Sequence, residues 1–359
     1  MDVNTDLAMW SNQLIISAMI VYAFAMIFYA FDLFGSRELK TAKTEAVSPA
    51  KASSVRRTNR KTATTAVLDR PGDDESTEEV SDRSSTGQSE VGKAGSGKAA
   101  SGKAGSGKAN RRRGARIGTS LLVLAVLLHA SAVLTRALSV SRVPWGNMME
   151  YVLTATTITV IVYLVVLTKK DVRYLGTFVS GGVLLCLGLA ITVFYTPAAK
   201  LIPALDSYWI AIHVPIAILS TSLLYLSAIL AVFQILKSVY ETKNPKWLRF
   251  MHRLPASDDL ERSSYTIAAV GFITWTFTLI AGAIWAEVAW SRYWGWDTKE
   301  IWTFVVWVIY AAYLHARATR GWSKTKVAVL NIIGIASVIF NFTVVNVYFN
   351  GLHSYSGLD

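Results

Sequence analysis

The chain is 359 residues long, 52% hydrophobic, with a positive mean hydropathy and a formal net charge of +12. It is too apolar for an ordinary soluble domain and long enough for several membrane crossings. The charge does not point to nucleic acid, because basic residues interleaved with apolar spans are what membrane orientation and anionic headgroups require.

The first residues, MDVNTDLAMW, carry two aspartates and no basic cluster ahead of an apolar run that continues to Phe34. A cleaved signal peptide begins differently, so this first segment is expected to be retained as a transmembrane helix over 1–34. Residues 35–116 change character: an acidic patch over 73–82 is followed by GSGKAASGKAGSGKA and then Arg111, Arg112 and Arg113. So few apolar residues cannot bury a core, and the segment reads as a disordered cytoplasmic linker. Its Gly-Ser-Lys-Ala units are low complexity, with no strand and helix to frame a phosphate loop. From 117 to 359 the pattern predicts a block of seven membrane helices. Runs long enough to cross about 30 Å of hydrocarbon recur at 9–34, 117–137, 150–168, 174–194, 208–236, 265–287, 302–318 and 327–348. The fold class expected is therefore an all-α polytopic integral membrane protein of about eight transmembrane helices.

With the acidic N-terminus outside, one face receives 31 of the 36 Lys and Arg residues and is cytoplasmic by the positive-inside rule. Both termini then lie outside, together with the loop between the sixth and seventh helices. The lone cysteine, Cys186, sits within the apolar run 183–193. It allows no internal disulfide and no CxxC motif, so any thiol chemistry must use a partner's thiols.

The densest cluster of unusual residues is WAEVAWSRYWGWDTKEIW, residues 285–302, in that outer loop. Interfacial tryptophan is ordinary in membrane proteins. It does not account for Trp290, Tyr293, Trp294 and Trp296 alternating with Arg292, Asp297, Lys299 and Glu300. Flat apolar surfaces beside both signs of charge suit a large planar ligand with an ionic edge, as haem is. Arg292, Lys299 and Arg142 are candidate propionate contacts, and Asp297 is a candidate for orienting the loop or moving a proton.

Iron in a porphyrin leaves two axial positions, for which imidazole is a common protein ligand. The chain has five histidines. His213, near the start of the fifth helix, and His353, after the eighth, fall at similar depth on the outer side and make a candidate ligand pair. Taken singly, each is equally readable as a satisfied interfacial histidine. His315 lies toward the cytoplasmic end of the seventh helix, where an ionisable side chain is costly and a functional role competes with simple helix-end contact. His129 is mid-helix, where a hydrogen bond to a neighbouring helix would satisfy it. His252 belongs to a basic cytoplasmic loop. In VPWGNMMEY (143–151), Glu150 reads either as a helix N-terminal charge or as part of the site.

At these residues the chain resembles the tryptophan-rich WWD signature of the haem-handling proteins of cytochrome c biogenesis, of the type called CcsA, and CcsB or ResC in some bacteria. The signature is carried by Trp290, Tyr293-Trp294, Trp296-Asp297 and Lys299-Glu300. It is joined, in the family's order, by Pro144, Asn147 and Glu150, by SYWIAIH ending at His213, by YLHAR around His315 and by GLHSY around His353. The resemblance spans 117–359. Two turn positions depart from it: Thr298 stands where the family has proline and Ser291 where it has glycine.

The resemblance implies that haem b is substrate and transient ligand, with His213 and His353 as outer axial ligands and His315 as an intramembrane ligand. The counterpart of His315 would come from a ResB/Ccs-type membrane subunit, with His129 as an internal alternative. It also implies a haem-presenting loop of Trp290, Tyr293, Trp294, Trp296 and Asp297, an apocytochrome c partner bearing CxxCH, a separate thiol-reducing system, and membership of a holocytochrome c synthase, or haem lyase. The long Gly-Ser-Lys linker points to a bacterial plasma membrane rather than a thylakoid. A haem transporter or chaperone without ligase activity would use the same histidines; an electron-transfer b-type cytochrome is a further reading, but it needs histidine pairs within the membrane, whereas the best pair here lies at its edge.

Overall fold

A computed structural model describes residues 3–35, 104–201, 203–349 and 351–353. The linker expected over 35–116 falls mostly outside the described residues. Its end does not, because helix already begins at Ala104.

All regular structure among the described residues is helical. The elements are α1 (Thr5–Phe34), α2 (Ala104–Val140), α3 (Met148–Lys169), α4 (Gly176–Thr192), α5 (Ile210–Lys243), α6 (Ser257–Trp290), α7 (Thr298–Ala318), α8 (Lys324–Phe342) and a short α9 (Val344–Tyr348). Eight spans are long and apolar enough to cross a membrane, and α9 extends the eighth of them. The protein is an integral, multi-pass membrane protein. Helices α5 and α6 run past the apolar windows that announced them, because a helix continues into its polar flanks once hydrocarbon ends.

Apolar residues occupy both faces of these helices. In α1 the stripe Ile15, Ala18, Tyr22, Ala25, Tyr29 and Leu33 is buried, while Ile16, Ile20, Phe24 and Phe31 are exposed on the outside of the bundle. That distribution belongs to a helix solvated by lipid. Although a long segment separates α1 from the rest in sequence, it packs into the same unit, against α2 and α4. At its C-terminus the Arg253 guanidinium donates to the carbonyls of Asp32, Leu33 and Gly35.

In lipid the helices gain little from burying apolar surface, so close packing and interhelical hydrogen bonds hold them together. Ser227 of α5, Ser264 of α6 and Asn331 of α8 form one buried cluster, with Asn331 Nδ2 donating to Ser227 Oγ at 2.7 Å and to Ser264 Oγ at 3.1 Å. Gly334 of α8 lets the Tyr310 ring of α7 approach so closely that an added Cβ would meet it at 2.7 Å. Antiparallel alternation brings four connecting segments, 141–147, 193–209, 291–297 and 349–353, to one end of the bundle. The turns 170–175, 244–256 and 319–323 fall at the other.

Candidate functional site

The end that carries the tryptophan-rich loop encloses a cavity bordered by the starts of α3, α5 and α7, the ends of α6 and α8, and His353. Its walls include Trp145, Trp285, Trp290, Tyr293 and Trp294, with His213 and His353 both bordering it.

The loop owes its shape to the termini of two helices. Helix α6 ends at Ser291, whose φ of 55° is left-handed and whose backbone N–H returns to the Glu287 carbonyl at 2.8 Å. Trp296 also adopts positive φ, and α7 then starts after Asp297. Glu300, buried in the first turn of α7, holds the turn from inside, its Oε2 accepting from the backbone N–H groups of Gly295 (2.8 Å) and Asp297 (3.1 Å). This reciprocal arrangement is that of a capping box.

The two outer histidines are set differently. His213 stands in the first turn of α5, its ring edge-on to Trp285 at 5.6 Å and tight against Gly282, where an added Cβ would meet Cε1 at 2.9 Å. The Thr278 backbone lies beside the ring, yet Nδ1 is buried and forms no hydrogen bond. His353 packs edge-on to Trp290 at 4.8 Å, and its Nδ1 lies 2.7 Å from Asp297 Oδ2. Burial pushes the His353 imidazole below its ordinary range, opposed by the Asp297 carboxylate. A carboxylate only accepts, so Nδ1 carries the hydrogen of this contact.

The donor set fits an iron porphyrin: two imidazoles border one cavity with aromatic walls, and several buried polar atoms around it lack partners. These are Trp145 Nε1, Trp285 Nε1 and Asn341 Oδ1. Of the three candidate propionate contacts, Lys299 borders the cavity, with Nζ donating to the Asn341 carbonyl (2.9 Å) and to Asn346 Oδ1 (2.7 Å). Arg142 does not border it, being engaged by Glu150 at 2.8 Å and by the carbonyls of Val143 and Ala199. Arg292 lies directly over Gly295, where any side chain would collide with its guanidinium. Trp296 is exposed on the loop's outer surface, edge-on to Trp294 at 5.9 Å.

The remaining histidines lie elsewhere. His129 is fully buried on α2 beside Tyr22 of α1, whose hydroxyl is 3.4 Å from Nδ1, and its Nε2 has no partner. His315 is exposed on the bundle's outer surface in the last turn of α7, close to Thr319. His252 is exposed and bonded to the Arg249 carbonyl. Glu150 is wholly buried between Arg136 and Arg142 and accepts from the Gly146 N–H at 2.9 Å, so it fixes the 142–147 turn beneath the cavity. Trp145, Trp285 and Gly282 were not singled out from the sequence. The two tryptophans lie in segments already marked by their composition; nothing in the sequence marks Gly282.

The cytochrome c assembly protein family model matches residues 145–353, which include every element bordering the cavity. The chain belongs to that family. It is similar to proteins named cytochrome c biogenesis protein CcsA. One, from Prochlorococcus marinus, is 34% identical over 196 residues, 47% of this chain and 62% of that protein, so this chain spans less than two thirds of that relative's length. One from Chlamydomonas reinhardtii is 32% identical over 248 residues, 67% of each chain. One from Porphyra purpurea is 31% identical, covering 60% of this chain and 79% of that protein. Among solved structures, cytochrome c haem lyase CcmF shares the fold with a TM-score of 0.56 at 13% identity, over 94% of this chain and 46% of that one.

Proposed function

We propose that this protein acts in cytochrome c biogenesis, holding haem b at the outer face of a plasma membrane for attachment to an apocytochrome c. The single observation that carries this reading is that His213, at the start of α5, and His353, after α9, border one tryptophan-walled cavity at the loop end. Both termini and the 285–302 loop are assigned to the outside, which follows from the distribution of Lys and Arg.

His213 and His353 are the axial ligands in this reading. Trp290, Tyr293 and Trp294 pack against the macrocycle, and Lys299 with the unpartnered indole N–H groups receives its polar edge. Trp296 offers an exposed aromatic surface to the apocytochrome. The substrate supplies two vinyl groups, across each of which one CxxCH thiol adds, sulfur to one carbon and hydrogen to the other. The chain's part is orientation, which by itself accounts for large rate gains. Because Cys186 is the only cysteine, the apocytochrome thiols must be kept reduced by a separate thiol-reducing system. A ResB/Ccs-type subunit is assigned to the surface around His315, which is exposed in the last turn of α7.

The test is the haem content and visible spectrum of the purified protein with its partner, for wild type and for His213→Ala, His353→Ala and His315→Ala. The two outer substitutions are expected to abolish a six-coordinate spectrum that added imidazole restores. Unchanged haem content and cytochrome c maturation in all three would overturn the reading.

A further inference from the structure

We propose that Asp297 is a positioning residue that makes His353 the retained axial ligand and leaves His213 as the one surrendered to the histidine of the incoming CxxCH segment. The inference rests on the bis-imidazole reading above and adds an order to it.

The two imidazoles are chemically inequivalent. His353 Nδ1 donates to the Asp297 carboxylate at 2.7 Å. Asp297 sits at the start of α7 with its own backbone N–H held by Glu300. Gly351 passes so close to the Asp297 carboxyl that no side chain fits there, so the segment leading to His353 lies against the same carboxylate that meets its ring. A carboxylate behind a ligating imidazole makes the ring a stronger electron donor and locks its orientation. His213 has no carboxylate behind it: Nδ1 is buried without a hydrogen bond, and the ring is flanked by Trp285, Gly282 and the Thr278 backbone.

Presentation to an apocytochrome requires one protein imidazole to give way. The exchange breaks one iron–nitrogen bond and forms another, and it transfers no electron or proton. Losing the weaker bond, to His213, leaves the substrate anchored through His353 under Trp290, with the vinyl groups still aligned. Losing the stronger bond would release the anchored edge of the site.

The experiment uses the full chain loaded with haem, as His213→Gly and His353→Gly, each with and without Asp297→Asn. Asparagine caps a helix as well as aspartate does, so α7 is kept, and thermal melting of each variant checks this. Ferric haem affinity is expected to fall at least ten-fold further in His353→Gly than in His213→Gly. Asp297→Asn should cost 10–100-fold in affinity and raise the midpoint potential in wild type and in His213→Gly, by about the magnitude of outer-shell effects at metal sites. In His353→Gly without added imidazole it should change neither quantity. Equal losses in the two glycine variants, or an Asp297→Asn effect that persists without His353, overturn the inference while leaving bis-imidazole ligation intact. A wild-type spectrum untouched by either glycine substitution overturns the underlying reading instead.

Discussion

Ser291 and Thr298 are the two turn positions at which the resemblance leads one to expect glycine and proline, and the backbone at both suits those residues. Ser291 is the left-handed residue that ends α6, a conformation that costs a side chain about 1–2 kcal/mol and costs glycine almost nothing. Thr298 is the first residue of α7, preceded by Asp297 in extended backbone. Proline is favoured at that position, and the residue before it must be extended. Ser291→Gly is therefore expected to stabilise the protein by about 1 kcal/mol. Thr298→Pro should be accommodated without loss. Thermal denaturation in detergent reads both, and a lower melting temperature for either would contradict the cap geometry. At this scale the sequence was legible where chemistry is local: the aromatic loop, the outer histidines and Asp297 stood out by composition. Which nitrogen of which histidine meets a carboxylate did not, since 56 residues separate Asp297 from His353.

Between elements, the decisive contacts join helix ends that sequence keeps apart. Glu150 at the start of α3 ties the end of α2 to the turn below the cavity, buried together with Arg136. Removing one partner of a buried ion pair strands the other charge, which costs about 3–5 kcal/mol. Glu150→Ala should thus lower the melting temperature sharply and reduce haem content, whereas Glu150 as a mere helix-dipole charge would cost less than about 1 kcal/mol. A small effect on melting would return Glu150 to that simpler role. The eight spans themselves were legible because twenty apolar residues leave few alternatives to a membrane helix. Their ends were less so: α2, α5 and α6 continue beyond the apolar windows, in polar flanks that hydropathy cannot assign.

For the whole molecule, alternation of eight antiparallel helices forces all the cavity-forming segments to one end. This makes topology testable as a unit. In a Cys186→Ala background, single cysteines replacing the exposed residues Ser141 and Asp206 should react with a membrane-impermeant thiol reagent from outside the cell. Cysteines replacing Lys246 and Arg320 should react only after permeabilisation. The reverse pattern would invert the charge-based orientation, and a mixed one would break the eight-span count. The sequence by itself determined the helical membrane class, the span count and the residue types able to grip a planar ligand, because hydropathy and side-chain chemistry act over short stretches. Only the tertiary structure decided that α1 docks back into the bundle under Arg253. It likewise set Arg142 and Arg292 away from the cavity that Lys299 borders, and gave Asp297 to His353 and none to His213. Those outcomes depend on which helix faces meet, and close packing between lipid-solvated helices leaves little periodic trace in a sequence that is apolar all round.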